Sequence, residues 1–84
     1  MFFAKNEIIE LAHGKKHMVL DTTKYEGKYY YYVVEISEDE TSVTENFQVI
    51  TTVSENGNLF VKTIRDELEK ILVKIFEKDL GIRD

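Results

Sequence analysis

Apolar residues recur along the last third of the chain with helical spacing. Ile64, Leu68, Ile71, Leu72, Ile75, Phe76 and Leu80 fall at i, i+4, i+7, i+8, i+11, i+12 and i+16, which gathers them on one side of a helix. Arg65, Glu67, Glu69, Lys70, Lys74, Glu77 and Lys78 fill most of the other positions, and the pattern predicts a helix over 64–80 that opens at Thr63. Thr63 followed three residues on by Asp66 offers acceptors to the free N–H groups of the first turn, and Gly81 suits a left-handed cap. Val73 lies roughly opposite Ile64 and is expected at the surface. Fully buried, the seven apolar side chains would contribute on the order of 10 kcal/mol, an upper bound because unfolded chains already bury some surface. Such a helix needs a floor, and only the preceding residues can supply it.

Upstream the period shortens to two. Glu7 to Ala12 is ambiguous: Asn6 could cap a short helix running to Gly14, while Ile9 and Leu11 alternate as in a strand. The strand is favoured because His13-Gly14-Lys15 makes a hairpin turn into the next run. That run is Lys16 to Lys24, centred on Met18, Val19 and Leu20, and Tyr25-Glu26-Gly27-Lys28 closes it as a tight turn. Tyr29 to Ser37, with four tyrosines, two valines and Ile36, suits a pleated surface better than a helix. Glu38-Asp39-Glu40-Thr41-Ser42 reads as a mobile, solvated loop before a strand at Asn46 to Ser54. Asn56-Gly57 is a strong hairpin signal leading into Leu59 to Lys62.

Short connections throughout make an antiparallel meander the simplest topology. The expectation is one α+β domain over 1–84: an antiparallel β-meander of four or five strands, about 7–62, with one C-terminal helix packed on one face. A helix of this length spans about 25 Å, enough to cover one face of so small a sheet and not both.

The uncovered face then becomes the question. In the third strand Tyr30, Tyr32, Val34 and Ile36 point one way, and Tyr29, Tyr31, Val33 and Glu35 the other. If the even positions lie under the helix, then Tyr29, Tyr31 and Val33, with Ile50 and Phe60, remain on the open side. Tyrosine tolerates a half-wet sheet surface, so this face can be bland. It can also be a contact surface for self-association or for another protein, or sheet curvature can fold both faces inward.

Composition narrows the rest. Cysteine is absent from the 84 residues, so disulfides and thiolate metal sites are excluded and a cytoplasmic setting is the default. The start reaches Lys5 too soon for the apolar core of a secretion signal, and no stretch approaches a membrane span. Sixteen acidic against eleven basic residues give a net charge of −5, which weighs against general nucleic-acid or anionic-membrane binding.

Candidate chemistry is thin. His13 and His17 are four apart, but Gly14 intervenes and no third ligand is evident, so they read as two solvated histidines flanking a turn rather than a metal site. Lys15, Lys16, Lys24 and Lys28 near the tyrosines sketch a stacking surface for single-stranded nucleic acid, without the ordered glycine and phenylalanine of ribonucleoprotein sheets. Glu38-Asp39-Glu40 lacks the alternation and central glycine of a calcium loop. No nucleophile and base, nor any paired carboxylates, can be assigned, so no catalytic residue, cofactor or metal is expected and the chain is read as non-enzymatic.

Gly14-Lys15-Lys16-His17-Met18-Val19-Leu20-Asp21-Thr22 and Tyr25-Glu26-Gly27-Lys28 with the tyrosine run resemble the front half of the YrzB-like family of small bacterial proteins. Phe47-Gln48-Val49-Ile50, Asn56-Gly57-Asn58-Leu59 and the helix from Asp66 to Phe76 follow in the same order. The resemblance covers roughly Glu7 to Phe76 and rests on hydrophobic rhythm and turn residues. The chain departs from it in a less acidic stretch between the third and fourth strands and in its four consecutive tyrosines. The resemblance implies a β-meander with a C-terminal helix and a cytoplasmic bacterial protein, and it carries over no catalytic residue. The functional expectation is a protein-interaction domain, as a homodimer or with an unidentified protein partner, through Tyr29, Tyr31, Val33, Ile50 and Phe60. The alternative is single-stranded nucleic-acid binding by the same rings.

Overall fold

The computed structural model describes residues 3–11 and 14–81. Over them the chain runs β1 (Ile8–Glu10), β2 (Lys16–Tyr25), β3 (Lys28–Ile36), β4 (Val43–Glu55), β5 (Asn58–Thr63) and α1 (Glu67–Leu80). Among the described residues the five strands form one antiparallel sheet in the order β1-β2-β3-β4-β5, the meander that short connections favour. Two hairpins turn on two residues each, Glu26 (φ 50°) with Gly27 (φ 84°) and Asn56 (φ 51°) with Gly57 (φ 81°). Positive φ at both central positions gives the turn whose twist matches the flanking strands. The ambiguity over 7–12 resolves as strand, since Ile9 lies opposite His17 in the β1–β2 ladder. Ala12 and His13, assigned above to that strand and its turn, lie outside the described residues.

Register shifts between Val19 and Asp21, and between Val34 and Ile36, interrupt the ladders and add local bend. The sheet curls, bringing the β1–β2 end towards β5 across one face. Residues opposite one another in a ladder share a face. On the even-numbered side of β3, Tyr30 and Tyr32 join Val49, Ile64, Leu72 and Phe76 in one core cluster. The Tyr32 ring stacks against Phe76 (5.2 Å between centroids) and Phe47 (5.5 Å). Burial, with a smaller contribution from Glu77, pushes the Tyr32 phenol up from its ordinary value.

The odd-numbered side is covered as well, which corrects the expectation of a bare aromatic face. Tyr31 is 1% exposed, and Val33 and Ile50 are fully buried. They cluster with Val19 and Phe3, and Ile9 and Leu11 pack around them. Phe3 sets its ring edge-on to Tyr31 at 5.0 Å. The physical reason lies in β3 itself: five successive apolar residues, Tyr30 to Val34, need apolar surroundings on both faces, and the N-terminal segment supplies the second layer that the helix cannot.

At the helix, Asp66 is the N-cap, its Oδ1 accepting from Leu68 N–H at 3.0 Å, while Thr63 ends β5. Gly81 closes the other end at φ 75° as expected. Ile64 precedes the helix yet remains in one core cluster with its buried stripe. Leu72 and Phe76 are buried, Val73 packs against the core rather than facing solvent, and Ile71 is exposed. The Ser37–Ser42 connection is tied by hydrogen bonds rather than loosely solvated. Asp39 Oδ1 accepts from the Ser37 and Thr41 hydroxyls, both at 2.7 Å, and these bonds hold its carboxyl below the ordinary carboxylate range. Lys16 Nζ adds a bond to Glu40 at 2.9 Å.

Candidate functional site

With the centre of the odd-numbered face closed, two surfaces among the described residues stand out for their chemistry. The first is β5, which among the described residues has a single hydrogen-bonded neighbour, β4, and so carries a free edge. Leu59 (42% exposed), Phe60 (48%) and Val61 (43%) stand in succession along it. Phe60 is opposite Val53, whereas Leu59 and Val61 are opposite Ser54 and Thr52, so the strand presents apolar groups on both faces at once. A strand buried on neither face would be expected to carry polar residues on at least one.

The second is a cleft of about 410 Å³ at the end of the curled face, lined by Glu10, Leu11, Lys15, His17, Gln48, Val61, Thr63 and Arg65. Its floor is a directional chain. His17, 2% exposed, has Nδ1 3.2 Å from the Lys15 carbonyl and Nε2 3.4 Å from Gln48 Nε2. A carbonyl only accepts, so Nδ1 carries the proton and Nε2 accepts from the Gln48 amide. Gln48 Oε1 in turn accepts from the Thr63 hydroxyl at 3.3 Å. Lys15 Nζ lies 3.9 Å from Glu35 Oε2, and Asn46 Nδ2 donates to the other oxygen of that carboxylate at 3.1 Å.

The five residues proposed from sequence are thus not one surface. Tyr31, Val33 and Ile50 lie together beneath Phe3, while Tyr29 is exposed at one end with Lys24 Nζ 5.6 Å from its ring centre. Phe60 is exposed on β5, but Ile50 pairs with Thr63 and Phe60 with Val53, so Ile50 and Phe60 face opposite ways. The solvated role assigned to His17 is also corrected, because it is buried in the cleft floor. Its alternation with Val19 along β2 was the available signal, since both residues share a face in a regular strand. No family model matches the chain, and no curated protein or solved structure is found to be similar to it.

Proposed function

We propose that this chain is a non-catalytic, self-associating protein-interaction domain whose contact surface is the β5 edge. The observation that carries it is the run Leu59-Phe60-Val61, exposed on both faces of a strand with a free edge. Such an edge accepts a further strand, with main-chain hydrogen bonds supplying affinity and side chains supplying register. The occupant is a second copy of the same strand. About a two-fold axis through Phe60, antiparallel pairing sets Phe60 opposite Phe60 of the partner subunit, Leu59 opposite Val61 of the partner subunit, and Asn58 opposite Lys62 of the partner subunit. Apolar groups then meet apolar groups, and the strand's one charge meets an amide rather than its own copy. A pair of six-residue strands falls short of the roughly 1,200 Å² of a stable complex, so the dimer forms and dissociates reversibly.

In this reading the helix roofs one face, the N-terminal segment the other, and β5 is left for association, in the cytoplasmic bacterial setting that the YrzB-like resemblance suggests. Nucleic-acid binding has less support. Tyr31 is covered by Phe3, and on the odd-numbered side of β3 Tyr29 is left as a lone exposed ring among the described residues, so a row of stacking platforms does not form there.

Sedimentation velocity over a range of concentrations tests the proposal. The wild type should shift towards twice its mass as concentration rises, and Phe60→Glu, which sets two carboxylates face to face, should stay monomeric. Mixing Phe60→Glu with Phe60→Lys should restore a heterodimer. A wild type that is monomeric throughout, or a Phe60→Glu variant that associates like it, would overturn the assignment.

A further inference from the structure

The cleft beside β5 shares Val61 with the pairing strand, but its polar groups lie outside the Leu59–Val61 run, and their chemistry points to a ligand. We infer that it binds a small organic carboxylate with a short apolar body. The volume of about 410 Å³ falls within the range of small-molecule sites, which combine apolar walls with a few placed polar groups. Leu11 and Val61 provide the apolar walls. At the floor, Gln48 gives one amide hydrogen to His17 Nε2 and its oxygen to Thr63, so the second amide hydrogen has no protein acceptor among the described residues.

Arg65 stands at the rim and has no ion-pair partner among the described residues, while Lys15 is shared with Glu35. A guanidinium fork and an amide N–H lining the same space suit the two oxygens of a planar carboxylate. The buried His17 contributes by holding Gln48. In its neutral state Nε2 accepts from that amide, which fixes the amide's orientation and keeps its other hydrogen available to the cleft.

Glu10 is the one carboxylate among the lining residues, and it distinguishes two sources of the same chemistry. A simple fatty acid would leave it facing water, whereas the ammonium of an α-amino acid would pair with it. Isovalerate and leucine therefore serve as the two probes, with inorganic phosphate as the control anion.

The experiment is a titration followed by two-dimensional NMR of the intact chain. The expected result is a saturable shift of the Gln48 side-chain amide and the His17 ring resonances with isovalerate, leucine or both, and none with phosphate. Arg65→Gln should weaken binding about tenfold or more, the loss expected for a charged hydrogen-bonding partner. Arg65 is exposed, so this variant should fold as the wild type does. Gln48→Met, which keeps the length and removes the donor, should also weaken binding. Tighter binding of leucine that is lost in Glu10→Gln assigns the amino acid, and equal binding of the two probes assigns the simple acid. The absence of saturable shifts for both organic probes, equal shifts with phosphate, or shifts indifferent to Arg65→Gln would overturn the inference. The site lies within one chain, so binding should persist in the monomeric Phe60→Glu variant, which separates its fate from that of the dimer.

Discussion

Tyr29 and Tyr31 are two positions apart on one strand and point the same way, yet one is exposed and the other buried. The difference is Phe3, whose ring meets Tyr31 edge-on. Offset aromatic pairs of this kind add about 0.5–1.5 kcal/mol beyond their buried area, and removing an enclosed phenylalanine costs about 3–5 kcal/mol. Tyr31, Val33 and Ile50 can close part of the space that the ring leaves, so Phe3→Ala should cost less, roughly 2 kcal/mol, in urea unfolding. It should also raise the binding of a hydrophobic dye, because Tyr31, Val33 and Ile50 lose their cover. A variant as stable as wild type, with no added dye binding, would mean that the second layer does not depend on this ring. Tyr31's burial was not legible from strand alternation, which places a residue on a face and is silent about what lies over it. The cover comes from a residue 28 positions earlier, in a segment with no periodicity of its own.

At the scale of elements, legibility followed the locality of the cause. Both two-residue turns follow from glycines that accept positive φ, Gly57 helped by Asn56 before it, and β3 from a tyrosine and valine run that suits a pleated sheet. The helix was legible in its stripe and its closing glycine, but its start was displaced by three residues because Thr63 and Asp66 both have the chemistry of a cap. The sheet decides between them. Thr63 is paired with Ile50, and Ile64 N–H donates to Val49 O at 2.8 Å, so the chain is still in strand register there. Asp66→Ala should therefore lower stability by about 1 kcal/mol in chemical denaturation. Thr63→Ala, which removes only a 3.3 Å bond to Gln48, should cost clearly less. The reverse order would return the cap to Thr63. The cleft was the least legible part of the candidate site. Glu10, His17, Gln48 and Arg65 come from four separate parts of the chain and meet only because the sheet curls.

For the whole molecule the balance of charge sets how association should respond to salt. Each copy carries a formal charge of −5, and the chain measures 36 × 29 × 22 Å, so two copies paired edge to edge have centres about 25 Å apart. Unscreened in water, that repulsion is about 4 kcal/mol. At about 0.01 M salt the screening length is about 30 Å, comparable to the molecule, and roughly 2 kcal/mol remains. At about 0.15 M it is about 8 Å, and only a few tenths of a kcal/mol survive. The apolar contacts of Leu59, Phe60 and Val61 are insensitive to this change, so raising salt across that range should tighten self-association about tenfold, since about 1.4 kcal/mol is a factor of ten. Nucleic-acid binding has the opposite sign, because salt weakens it by competing with counterion release. Sedimentation at the two ionic strengths, of the chain alone and with a labelled oligonucleotide, therefore separates the two functional readings by direction. Dimers that weaken as salt rises would place the contact on paired charges instead of the apolar edge.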